Sequence, residues 1–188
     1  MGKRERTRLR LQECAMDAFE RDGFEATTVA RIAEAAGVTP MTFFRHFPTK
    51  EAAVVWDPFD PLIAQAVAAA IAPDVSALQA TCRGIWSAWR GADTAVEPLA
   101  RRRSRLVAAT PALRAAMWAA QADTEAAITE VLRDAGYTRW ESAAAAGACL
   151  GALTSTLLAW ALDADESSMN GAIASSLRAL DPEGIPEP

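Results

Sequence analysis

Apolar residues in the first fifty positions recur at helical rather than alternating spacing. Leu9, Leu11, Ala15, Ala18 and Phe19 fall on one helix, predicted over 4–22 and closed by Gly23. A second, shorter helix is predicted over 28–36, with Thr27 as its N-cap and Gly37 at its end. Thr39 and Pro40 then open a third, because proline's missing N–H costs nothing at a first helical position and its φ is already helical. Pro48 keeps that helix short by disfavouring the helical region at Phe47. Thr49 caps a fourth helix, and Pro58 and Pro61 in "WDPFDP" predict an elbow after it.

Beyond the elbow the pattern is Ala-rich and helical, with spans predicted near 62–72, 74–90, 94–108, 111–135, 138–163 and 167–180. Thr110 and Pro111 repeat the cap-plus-proline start, and Gly136 closes that span. Alternating β-branched runs and Asn-Gly or Asp-Gly turns are missing, so no strand is predicted. The expected fold is all-α: an N-terminal three-helix head with a helix-turn-helix arrangement over 1–55 and a larger helical body over 56–188.

The third helix carries the most specific chemistry. From Pro40, Phe43 and Phe47 are four residues apart and share one face, which can dock on Ile32, Ala33 and Val38 of the preceding helix region. Two rings thereby anchor a helix too short to be stable alone. Pro40, Met41, Thr42, Arg45 and His46 are left facing outward. A short helix offering a guanidinium, a hydroxyl and an imidazole suits a DNA major groove, where Arg reads guanine and apolar groups meet thymine methyls.

Charge changes the picture next. The chain of 188 residues carries −5 overall, which by itself argues against a polyanionic partner. Residues 1–50, however, hold nine Lys or Arg against seven acids, a balance of +2 that leaves −7 on the remainder. A basic head on an acidic body is the asymmetry expected if one end meets nucleic acid.

The stretch "TTVARIAEAAGVTPMTFFRHFPTKEAAV" resembles the DNA-binding head of TetR-family transcriptional regulators, over roughly residues 5–55. The resemblance implies a homodimeric, ligand-responsive repressor acting on a palindromic double-stranded operator. It places Thr28, Thr42, Phe44, His46 and Lys50 where the family touches phosphates, and Thr39, Pro40, Met41 and Arg45 near bases. Phe44 departs from the family's usual tyrosine and has no hydroxyl to donate, leaving it only van der Waals contact.

In the body, "SAAAAGACLGALTSTLLAWAL" sets Gly147 and Gly151 four apart with Ala143 a turn earlier, small residues that permit close helix approach. With "SSMNGAIASSLRAL" it resembles the two last helices of the family's dimer interface, and Ala143, Gly147, Gly151, Leu158, Ile173 and Leu177 are its expected residues. Aromatic and sulfur-bearing side chains, Phe59, Trp86, Trp89, Met117 and Trp118, together with Leu106, are the candidates for lining a pocket for a small apolar effector. The segment "PLARRRSRLVAATPALRAAMWAAQADTEAAITEVLRDAG" resembles a TetR subgroup with acyl-CoA-like ligands, including regulators associated with mycofactocin genes. That resemblance implies an acyl-chain pocket with Arg101, Arg102, Arg103 or Arg105 available for phosphates, although a solvated arginine face accounts for the same run.

Other classes fit less well. One histidine, no HExxH, no phosphate loop and no GxSxG leave an enzyme without a constellation, so none is expected, nor any cofactor. Cys14, Cys82 and Cys149 lie 68 and 67 residues apart, which implies neither a disulfide framework nor a metal site. No membrane segment is expected: 143–162 comes closest, but its glycines and hydroxyls read as a close-packed soluble helix. The basic "MGKRERTRLRL" lacks the apolar core of a secretory signal, and the cytoplasm is the expected location. An activator, or an architectural DNA-binding protein without a ligand, would share the same head.

Overall fold

The computed structural model describes residues 2–57, 60–90, 97–164 and 167–185, apart from the side chain of Pro61. Among them are ten helices: α1 (Lys3–Asp22), α2 (Val29–Ala35), α3 (Pro40–His46), α4 (Lys50–Val55), α5 (Asp60–Ala70), α6 (Ala77–Trp89), α7 (Glu97–Ala109), α8 (Pro111–Asp134), α9 (Arg139–Leu162) and α10 (Met169–Leu180). No strand occurs among the described residues, and the all-α expectation holds. Pro58 and Phe59 of the expected elbow lie outside them.

The chain divides into two compact units, one of residues 1–56 with 102–120, the other of 57–101 with 121–188. Residues 102–120 thus cluster with the N-terminal helices although they lie beyond the expected cut after residue 55. Arg102 explains part of that clustering: its guanidinium donates to Asp17 and Glu20 of α1, each at 2.6 Å, while Arg103 donates to the Trp56 carbonyl at 3.1 Å. Such long-range pairings have no local signature in sequence.

In the first unit, α1 packs on α2 and α4, and α2 on α3. Leu11, Met16, Ile32, Phe43, Phe47 and Val54 are fully buried. Burying each such side chain stabilises by about 1.5–3 kcal/mol. Buried Gln12 ties α1 to the end of α4 by donating to the carbonyls of Val54 and Trp56 at 3.2 and 2.7 Å. One cap differs from expectation. Thr28, not Thr27, caps α2, its oxygen accepting from the Arg31 N–H at 3.4 Å. Thr27 is buried and its hydroxyl reaches the carbonyls of Ala18 and Gly23, at 3.2 and 2.8 Å, joining the end of α1 to the next turn.

The second unit is built on α5 against α6, α6 against α9 and α10, and α9 against α10. Gly84 is required where α5 and α6 meet, because a Cβ there would lie 2.5 Å from the Val67 Cα. Helix α9, which contains the stretch 143–162, is by length and composition apolar enough to cross a membrane. In this fold Ala145, Cys149, Leu150, Leu153 and Trp160 of α9 belong to the unit's core, and Thr138 and Glu141 form a capping box at its start.

Candidate nucleic-acid interface

The glycine-ended α2 and the proline-led α3 form the turn of the head. Gly37 takes φ of 66°, a left-handed value that favours glycine. Two residues on, Thr39 accepts the Thr42 N–H at 3.2 Å and so caps α3, and the two threonine hydroxyls pair at 3.1 Å. At the other end Phe47 adopts φ −139° and ψ 127°, the extended conformation that precedes a proline. Both ends of α3 are thus set by local chemistry.

Its inner face is held by rings. Phe43 and Phe47 are wholly buried with centroids 5.8 Å apart, and Phe47 meets Trp56 at 6.1 Å. The Arg8 guanidinium lies over Phe47 and Trp56, 4.9 and 4.4 Å from their centroids. Desolvation, with Arg4 nearby, lowers its pKa from the ordinary arginine value. This part of the basic arm packs against the head.

The outer face carries Pro40, Met41, Phe44 and Arg45, all exposed, with Met41 78% and Phe44 52% accessible. Thr28 and Thr39 are also exposed, and Thr42 is half-buried. His46 is half-buried, and its Nδ1 is buried without a partner. Desolvation first, then the charges of Arg45, Arg4 and Arg8, lower its pKa below the usual histidine value, which favours the neutral ring.

Lys50, expected at a phosphate, is half-buried here. Its ammonium turns inward, donating to the carbonyls of Phe24 at 2.7 Å and Thr27 at 3.2 Å, and lies 4.1 Å from the Phe24 ring centroid. Two of its three N–H groups thus close the turn between α1 and α2.

The expected effector residues do not gather in one unit. Trp89 is buried in the second unit's core with Trp86 packed against that core, while Leu106, Met117 and Trp118 belong to the first unit. Phe59 lies outside the described residues. Of the arginine run, Arg101 donates to the carbonyls of Trp160 and Ser167 at 3.3 and 2.9 Å, and Arg102 and Arg103 are engaged as above. An open hollow of about 550 Å³ runs along α8, bordered by Ala122, Ala126, Glu125, Glu130 and Arg133, and none of the expected residues lines it.

Of the expected dimer residues, Ala143 is exposed and Gly147, Gly151 and Leu158 are half-buried on α9. Ile173 and Leu177 are not surface residues: both are wholly buried in their own unit's core, where the inward stripe of α10 places them. Trp140 and Leu162, 70% and 67% exposed at the two ends of α9, are large apolar side chains outside the expected set. They lie three or four residues from Ala143, Ala144, Leu158 and Ala159 along the helix.

Two family models match separate stretches of the chain. Residues 13–54 match the model of the bacterial regulatory proteins of the tetR family, and residues 75–183 match the MftR C-terminal domain. The HTH-type transcriptional regulator TcmR of Streptomyces glaucescens is 53% identical over 49 residues, which are 26% of this chain and 22% of TcmR. The chain therefore aligns with about a fifth of that relative's length. Among solved structures, the fatty acid degradation regulator FadR from Bacillus halodurans is similar with a TM-score of 0.55 and 18% identity, over 96% of this chain and 95% of that one. TylP, a TetR regulator from Streptomyces fradiae, gives 0.54 and 22%, over 100% and 90% of the two chains. At these identities the likeness is one of fold: an N-terminal helix-turn-helix domain followed by a helical C-terminal domain.

Proposed function

This chain belongs to the tetR family of bacterial regulatory proteins, with a C-terminal domain of the MftR type, and from that premise we propose that it is a ligand-responsive transcriptional repressor. It binds a palindromic operator as a homodimer in the cytoplasm and is released by a small apolar, acyl-CoA-like effector. The observation that carries the reading is the outer face of α3, where Met41, Phe44 and Arg45 stand exposed while Phe43 and Phe47 hold the helix from behind. Arg45 has the five-donor fork that reads guanine in a major groove.

The outward stripe of α9 supports the dimer: Trp140, Ala144, Ala148, Ser155, Ala159 and Leu162 are exposed along it, and beside Gly151 a Cβ would meet nothing within 4 Å. A second copy packed there buries two large apolar side chains around a close-approaching centre. Two recognition helices then read half-sites one DNA turn apart, about 34–36 Å, so an effector acts by favouring a body conformation with another spacing. The effector class is what the resemblance of residues 98–136 to the subgroup with acyl-CoA-like ligands implies.

The test is a thermal-shift screen against acyl-CoAs, fatty acids and aromatic hydrophobes, repeated as competition with genomic fragments captured by the protein. A compound that raises Tm and releases a specific fragment supports a ligand-gated repressor. Specific DNA binding that no such compound relieves, and no shift in Tm, contradicts the effector and leaves only a DNA-binding head.

A further inference from the structure

The outer face of α3 is poor in the groups that usually read DNA. Met41 has no donor, Phe44 has neither donor nor acceptor, and the hydroxyls of Thr39 and Thr42 pair with one another at 3.1 Å. His46 has Nδ1 buried. Arg45 is the strong outward donor of the helix. Met41, Phe44 and Arg45 stand at i, i+3 and i+4 and so share one face, with Met41 78% and Phe44 52% exposed. Phe44 is also held in orientation: its ring meets that of buried Phe43 edge-on, with centroids 5.7 Å apart and planes at 88°.

Two large apolar side chains kept beside a guanidinium need a partner that is both anionic and locally apolar. A duplex major groove has one apolar group on its floor, the thymine 5-methyl. We infer that Met41 and Phe44 form an apolar reading surface for thymine methyl groups, flanking a guanine held by Arg45. Each operator half-site is then discriminated largely by methyl contact, and Phe44 acts as a specificity-determining residue rather than a backbone contact. The inference rests on the DNA-binding reading above and specifies its chemistry.

The experiment uses the full chain and a random pool of duplex DNA. The most enriched site is resynthesised with deoxyuridine replacing thymidine one position at a time, which removes only the methyl, and Kd is measured at one fixed salt concentration. At one or two positions per half-site, loss of the methyl should weaken binding about fourfold, the value of one buried methyl-sized group. In Met41→Ala, which keeps the parental Tm because the side chain is 78% exposed, the penalty at one of these positions disappears, and in Phe44→Ala, assayed below its own Tm, that at another.

Three results would overturn the inference. These are uridine sites that bind as well as thymidine at every position, a uridine penalty that persists unchanged in both variants, and variants that weaken thymidine and uridine sites equally, which marks sugar–phosphate contact. All three leave the DNA-binding reading standing. A pool with no enriched site removes that reading and the inference with it.

Discussion

The N-terminal helices and the Ala-rich C-terminal helices are both packed α-structure, yet they use their side chains differently. In α1–α4 a few large rings do the work, and four helix ends have a visible chemical cause: Thr28, Thr39 and Thr49 as caps, and Pro48 beyond α3. In α6, α9 and α10 the core is assembled from small residues, such as Ala80, Cys82, Ala145, Ala146, Cys149 and Ala174, with larger ones between them. Removing a large group is therefore the damaging change in the head, and adding a small one is the damaging change in the body.

Phe43→Ala breaks the comparison at its strongest point. Loss of a fully buried ring should cost about 3–5 kcal/mol, lowering Tm and abolishing operator binding together. An unchanged Tm would mean that the ring does not hold α3. The converse change is Gly84→Ala, whose new methyl would stand 2.5 Å from the Val67 Cα. Overpacking of this kind costs about 1–3 kcal/mol, and chemical denaturation should register it although nothing has been removed.

Lys50 sharpens the contrast within the head itself. Lys50→Met leaves the carbonyls of Phe24 and Thr27 without their ammonium, at a cost of about 1–3 kcal/mol, and keeps the salt slope of DNA binding unchanged. A slope shallower by about one, with unchanged Tm, would return Lys50 to a phosphate.

The smallest effect is at His46. Its folded pKa is below the unfolded value of 6.5, so the unfolded chain takes up the proton first. Its contribution to stability is therefore complete above that value and is lost as pH falls through 6.5 toward the folded pKa. His46→Gln should flatten the Tm-against-pH curve in that window relative to the parent chain. Arg45, Arg4 and Arg8 are the charges that add to the desolvation there, and a curve unaltered by the substitution would assign the window elsewhere.

What was legible in the sequence follows the same division. The start and end of α3 and the burial of Phe43 and Phe47 could be read because a cap, a proline and a four-residue spacing act within a few positions. The inward turn of Lys50 could not, since its partners Phe24 and Thr27 lie 26 and 23 residues away. Nor could the attachment of 102–120 to the first unit, which involves Arg102 reaching back 85 residues to Asp17. In α10, Ile173 and Leu177 looked suited to an interface because an apolar stripe reads the same whether it faces its own core or a second copy. In α9, alanine on every face hid which side points outward, and only Trp140 and Leu162 mark it.

The central claim is that the outer face of α3 reads a defined DNA sequence through Arg45. It is tested most directly by measuring Kd for the enriched duplex and for a scrambled duplex of equal length at the same salt concentration, with the parent chain and with Arg45→Ala. The account predicts a preference of about a thousandfold or more in the parent and a collapse of that ratio in the variant, with the scrambled duplex bound nearly as before. Equal affinity for both duplexes, or a ratio that survives loss of the guanidinium, would contradict it.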